Sequence, residues 1–193
     1  MSYSQLSQPA AGAGETLPAR MDALEALQVA KQVASLSGTH FYAGDAVPTA
    51  FTGYGTDTAG IATQVWVSEV RIHGNSLITG ISFLTGSVAG TDSVIVILYD
   101  ANGNVVANSA LAGTTVTSST TAFQRVPFTT PYQAAPGLYY IGVSTNGTHA
   151  KIQTQPAGDH NAGIITAQTF GTLVAITPPT TFTASKGPVA MTY

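Results

Sequence analysis

The chain contains no cysteine and carries unusually little charge. Without cysteine there is no disulfide framework and no thiolate metal site, so the fold must rest on a hydrophobic core. Its 193 residues allow that: a chain of this size buries about 70% of the surface exposed when unfolded. That is enough for one well-packed domain with an appendage. Charged residues are 8% of the total, against roughly 25% in an average soluble domain. Six basic and nine acidic residues give a formal charge of -3. No Lys/Arg cluster offers the footprint that phosphate binding requires, which excludes nucleic acid as the expected partner. No stretch approaches the roughly 20 apolar residues of a membrane span, so no membrane partner is expected either. The start, Met1-Ser2-Tyr3-Ser4-Gln5, shows no basic segment leading into an apolar run. The expectation is synthesis in the cytosol, with exit only as part of a larger assembly.

Low charge does not mean disorder here. Hydrophobic residues are 44% of the chain, whereas disorder pairs low hydrophobicity with high net charge. The polar remainder is largely Thr, Ser, Asn, Gln and Gly. A surface of small hydroxyl and amide groups suits a long-lived particle, an extracellular setting, or a subunit whose faces its neighbours cover.

Residues 1–15 are small and polar and read as a tail. Thr16 can cap a helix, Pro18 lies just inside it where a missing N–H costs nothing, and Gly38 lies past its end. Leu17, Met21, Leu24, Leu27, Ala30 and Val33 recur at spacings of three or four and form one apolar stripe. Asp22 and Glu25 fall early and Lys31 late, as the helix dipole prefers. An isolated helix of this length is marginal in water, so the stripe over 17–36 needs a surface to dock on. Residues 38–60, rich in Gly and aromatics, read as an extended connection with local pairing. The expected organisation is therefore an arm over 1–60 and a β-sandwich domain over 61–193.

From residue 61 the sequence becomes short β runs separated by turns. Strands are expected over 64–72, 77–84, 93–100, 104–109, 122–128, 137–144, 150–155, 163–170 and 189–193. Asp100-Ala101-Asn102-Gly103 and Asn146-Gly147 are hairpin signals, because Asn-Gly tolerates the positive φ of primed turns. Pro127, Pro131 and Pro136 mark edges or bends. In 93–100, Val94, Val96 and Leu98 face one way while Ile95, Ile97 and Tyr99 face the other. Both faces are apolar, so this strand should be central and covered on both sides. Many short strands with turns between them point to a mainly β fold, a jelly-roll-like β-sandwich preceded by an N-terminal amphipathic helix and extended arm.

With so few ionisable residues the search for chemistry is short. Glu15, Asp22 and Glu25 go with the helix, and Asp45, Asp57 and Asp92 lie among turn residues. Glu69, Asp100 and Asp159 remain for more specific work. Asp159-His160 is the most suggestive pair and forms a candidate ligand loop, although its Gly-Asp-His-Asn-Ala-Gly setting also reads as a polar loop tip. No further histidine or carboxylate stands at zinc-site spacing, and no metal or cofactor is expected. The segment Asp100 to Leu111 begins like a calcium loop but has Val105 and Leu111 where an EF-hand needs Gly and Glu. No Gly-x-Ser-x-Gly elbow and no Gly-Lys-Ser/Thr phosphate loop occurs. The reading is that the protein is not an enzyme. Trp66 shares a face with Val70 and Ile72 and should be core, while one of Tyr139 and Tyr140, which point oppositely, could face outward and stack on a sugar.

The runs Ser93-Val-Ile-Val-Ile-Leu-Tyr-Asp100, Phe123-Gln-Arg-Val-Pro-Phe128 and Pro136-Gly-Leu-Tyr-Tyr-Ile-Gly-Val143 resemble β-sandwich segments of tailed-bacteriophage virion structural proteins. Head decoration (cement) and fibre-like subunits are the nearest in style, and the resemblance covers about a third of the chain. It implies a homotrimeric jelly-roll subunit in the virion, bound to the major capsid protein or other virion proteins, with an N-terminal arm reaching across the shell. Leu17, Met21, Leu24 and Leu27 are then the arm's partner-binding residues. The alternative is a carbohydrate- or receptor-binding β-sandwich module of a phage fibre or surface protein.

Overall fold

The computed structural model describes residues 56–117, 122–158 and 160–193, and its described part is mainly β. The helix expected over 17–36, with Leu17, Met21, Leu24 and Leu27, lies outside the described residues. The described residues form eleven strands in order: β1 (Thr56–Ala59), β2 (Val65–Ile72), β3 (Ser76–Leu84), β4 (Ser93–Asp100), β5 (Val105–Asn108), β6 (Thr114–Thr115), β7 (Phe123–Ala134), β8 (Gly137–Thr145), β9 (Lys151–Thr154), β10 (Ala162–Ile165) and β11 (Ala190–Thr192).

The larger sheet has the order β10-β2-β8-β4-β5, with β6 also paired to β4, and all its pairings are antiparallel. The smaller sheet has the order β11-β3-β7. β9 extends it, since Gly86 N–H donates to the Lys151 carbonyl (2.7 Å) and Val189 N–H to the Gln153 carbonyl (2.9 Å). β1 pairs along the far side of β9, with Thr56 opposite Thr154.

Period-two alternation decides which side chains meet. Trp66, Val70 and Ile72 of β2, Val94, Val96 and Leu98 of β4, and Tyr139, Ile141 and Val143 of β8 form the inner face of the larger sheet. Ile81 and Phe83 of β3, Val126 and Phe128 of β7, Ile152 of β9 and Ala190 of β11 meet them from the smaller sheet. The outer face of the larger sheet is apolar too. Val65 and Val67, Ile95, Ile97 and Tyr99, and Tyr140 form a second core. The chain after β10 covers it as a strap, laying Phe170, Leu173 and Ile176 across these side chains. β4 thus lies between β8 and β5 with both faces covered, as its doubly apolar sequence requires.

Several details depart from the sequence reading. Residues 163–170 do not form one strand: β10 stops at Ile165 because Ala167 adopts φ 59°, a left-handed conformation that ends extended structure. β7 runs past 128 to Ala134, through Pro127 and Pro131. It can do so as an edge strand, where an absent N–H breaks no ladder, and its register on β3 shifts between Ile78/Tyr132 and Gly80/Pro127. Asn146-Gly147 is not a hairpin turn. β8 and β9 belong to different sheets, and Gly147 is not among the glycines with positive φ. Here the chain turns a corner, with Asn146 Oδ1 accepting the Ser93 N–H (2.8 Å). Thr56–Ala59, within the segment read as a connection, is β1.

Candidate functional site

Four acidic side chains lie among the described residues, and each accepts at least one backbone N–H from elsewhere in the chain. Asp57 of β1 accepts the Ser87 N–H (3.0 Å) and hydroxyl and the Gln153 side-chain amide (2.6 Å), joining the β3–β4 connection to β9. Asp92 accepts the N–H groups of His149 (2.6 Å) and Ala150 (2.8 Å) and so caps the corner between β8 and β9. The sequence places both among turn residues; their partners are remote along the chain.

Asp100 does act locally. Its carboxylate accepts the N–H groups of Asn102 (2.8 Å) and Asn104 (2.9 Å) and the Asn104 side-chain amide (2.9 Å), which closes the β4–β5 hairpin over Gly103. The Asn104 side-chain amide is the largest of several hydrogen bonds that hold the Asp100 carboxyl below the usual aspartate range. Since the folded value lies below the unfolded one, the unfolded chain protonates first on acidification. The stabilisation is complete above the ordinary aspartate value of about 3.9 and is lost as pH falls through the lowered folded value. The stability difference between wild type and Asp100→Asn should therefore shrink on acidification through this window. Urea denaturation at a series of pH values measures it, and a pH-independent difference would contradict the assignment.

Glu69 is at the centre of the densest polar group. It projects from the outer face of β2, is 6% exposed, and lies opposite Tyr140 of β8. Its Oε2 accepts both the backbone N–H (3.2 Å) and the side-chain amide (2.8 Å) of Asn161. Its own N–H donates to the Asn161 carbonyl (2.8 Å), and its Oε1 is 3.4 Å from the Arg71 guanidinium. Burial, followed by the Glu69 charge, pushes the Tyr140 phenol above its ordinary value. These contacts satisfy a buried carboxylate and tie the start of β10 to β2. They supply no nucleophile with an adjacent base.

His160, beside Asn161, bonds to the Gln155 side-chain carbonyl through Nε2 and packs edge-on against Phe182, with centroids 5.4 Å apart. Asp159 lies outside the described residues. The structure therefore brings His160 next to the Glu69–Asn161 group but does not bring Asp100 there, because Asp100 is committed to its hairpin. Among the described residues, no three His, Asp or Glu side chains are placed to hold a metal ion.

The two tyrosines of β8 do not form an outward platform. Trp66 is 0% exposed, as expected, but Tyr139 and Tyr140 are both buried. They do point oppositely, one into each core, and the strap covers the face where Tyr140 lies. None of the other described aromatic residues is fully exposed either. The sequence signal missed here is the apolar spacing of Phe170, Leu173 and Ile176: Phe170 reads as the end of a strand over 163–170, but all three are the inner edge of the strap.

No family model, curated protein or solved structure matches the chain.

Proposed function

We propose that the protein is a non-enzymatic structural subunit of a tailed-bacteriophage virion, a capsid decoration or cement protein that binds and stabilises the shell of major capsid protein. The observation that carries this reading is how the described acids are used: Asp57, Glu69, Asp92 and Asp100 each hold backbone from another strand or loop. Ionisable groups spent as clamps leave the surface as the means of function. The low charge and the Thr- and Ser-rich surface accord with a durable shell component. In this reading the β body is a jelly-roll-like sandwich that assembles as a homotrimer. The amphipathic segment 17–36 is an arm whose Leu17, Met21, Leu24 and Leu27 bind a neighbouring virion protein.

Burying each of those large side chains contributes on the order of 1.5–3 kcal/mol, and several copies multiply the effect through multivalent attachment. Purified protein should therefore co-sediment with capsid shells that lack it and raise their resistance to heat. Removing residues 1–38 should leave the melting temperature of the β body nearly unchanged while abolishing most of the co-sedimentation. Wild-type protein that ignores its own virus's shells would overturn the capsid reading. A truncated protein that unfolds would show that 17–36 belongs to the core and not to an arm.

A further inference from the structure

The chain contains two Asn-Gly pairs, Asn102-Gly103 and Asn146-Gly147. In such a pair the glycine nitrogen can attack the asparagine Cγ, an intramolecular step that glycine leaves unhindered because it has no Cβ. The new N–Cγ bond forms, the Cγ–Nδ2 bond breaks, and ammonia leaves with the proton of the glycine nitrogen. The cyclic imide then takes up water. Opening at Cγ gives aspartate. Opening at the main-chain carbonyl gives isoaspartate, in which the chain runs through the former side chain. An amide and a water thus become a carboxylate and ammonium, with nothing oxidised or reduced.

Both asparagines are exposed, so the difference lies in what must break before the side chain reaches the next nitrogen. Asn146 is held by β4: its Oδ1 accepts the Ser93 N–H (2.8 Å), and its own N–H donates to the Ser93 carbonyl (3.1 Å). The hydroxyl of buried Thr145 donates to the Gly147 carbonyl (3.1 Å) across the same pair. Reaction there takes the corner between β8 and β9 apart. Asn102 is at the tip of the β4–β5 hairpin, where its N–H donates to Asp100 (2.8 Å) but its side chain makes no hydrogen bond among the described residues. The Gly103 N–H that must be freed donates to the Asp100 carbonyl (3.0 Å), within the turn itself.

We propose that Asn102 is a site of spontaneous amide loss to Gly103, and that its isoaspartate product releases the strap. The link is the Gly103 carbonyl, which accepts the Ile176 N–H (2.9 Å). The strap is tied at one end by the Gln168 N–H to the Thr63 carbonyl (3.0 Å) and at the other by the Thr181 carbonyl to the Ala162 N–H (3.1 Å). Between them, among the described residues, the Ile176–Gly103 bond is the backbone tie to the sheet. Isoaspartate adds a main-chain carbon directly before Gly103. The added length breaks the register in which Asp100 holds the N–H groups of Asn102 and Asn104 (2.8 and 2.9 Å). The tip then no longer presents its carbonyl to Ile176, and the strap lifts from Val65, Val67, Ile95 and Ile97. This assignment needs no virion partner.

The two pairs in one chain give an internal control. Full-length protein is aged at mildly alkaline pH, folded or unfolded in urea, and both sites are followed by peptide mapping with isoaspartate detection. In the folded chain Asn102 should convert roughly tenfold faster than Asn146, which reacts only through local opening. In urea the two rates should converge. The converted fraction, separated by its added negative charge, should bind the hydrophobic dye ANS while keeping its β circular dichroism. Asn102→Gln aged alongside should bind none, because glutamine must close a larger ring that forms far more slowly. Conversion of Asn146 as fast as Asn102 in the folded chain would overturn the assignment of the site. A converted fraction that binds no dye, or an aged Asn102→Gln chain that binds as much, would overturn the release of the strap.

Discussion

Trp66→Ala should destabilise the β body by about 3–5 kcal/mol, the range for removing a large aromatic from a well-packed core. Trp66 is 0% exposed and lies on β2 opposite Val143 of β8, which in turn lies opposite Val96 of β4. The indole thus fills the inner face at the middle of the larger sheet, and the smaller sheet closes over it. A loss of that size is a large part of the roughly 5–15 kcal/mol typical of a whole domain. Trp66→Phe should cost much less. The indole Nε1 is buried without a hydrogen-bond partner, and a buried unpaired N–H carries a penalty of about 1–3 kcal/mol. Phenylalanine loses volume but also removes that donor, so the two effects oppose. Urea denaturation followed by far-UV circular dichroism tests both variants, since the chain's one tryptophan is the residue replaced. Trp66→Ala within about 0.5 kcal/mol of wild type, the range of an ordinary surface change, would show that the indole is not where the core depends on it.

Trp66 also shows what the sequence can reveal. Its shared face with Val70 and Ile72 is a local pattern, and alternation alone identifies it as core. The same reasoning locates most strands, because a half-buried strand writes its two faces into adjacent residues. It locates the doubly covered strand β4 as well. What alternation cannot express is the pairing partner. Nothing in Asn146-Gly147 distinguishes a hairpin from a corner, since the outcome depends on whether β9 returns to β8 or crosses to the smaller sheet. β1 is held by β9 almost a hundred residues away, through Asp57, Thr58 and Thr154, and its own four residues carry no apolar period.

The polar residues follow the same rule. The Asp100 turn is legible because its partners lie within four residues. Glu69 stands out as an acid within a strand, but its partner Asn161 is 92 residues away, and a single sequence carries no record of that contact. His160 draws notice for a loop composition that any polar turn shares, and the structure gives its ring the partners Gln155 and Phe182.

Gly103→Val should be the most damaging single change outside the two cores, costing on the order of 3 kcal/mol. Gly103 has φ +85°, a conformation that costs an L residue roughly 1–2 kcal/mol and a β-branched residue more. A Cβ there would also lie 2.0 Å from the Ile176 carbonyl oxygen. That neighbour is backbone and cannot rotate away. Ile176 is one of the points where the strap is fixed to the sheet, its N–H donating to the Gly103 carbonyl (2.9 Å). Relieving the clash therefore means lifting the strap, which uncovers Val65, Val67, Ile95 and Ile97. The variant should lose stability and also bind a hydrophobic dye such as ANS under conditions where it still shows β circular dichroism. Gly137→Ala is the control. Gly137 opens β8, and its Cβ would meet nothing closer than the Tyr139 ring edge at 3.7 Å, an ordinary contact. Its effect should stay within about 1 kcal/mol. If Gly103→Val unfolds at the same denaturant concentration as the control and binds no dye, the hairpin tip does not hold the strap. The outer face of the larger sheet would then owe its cover to the side chains of Phe170, Leu173 and Ile176 alone.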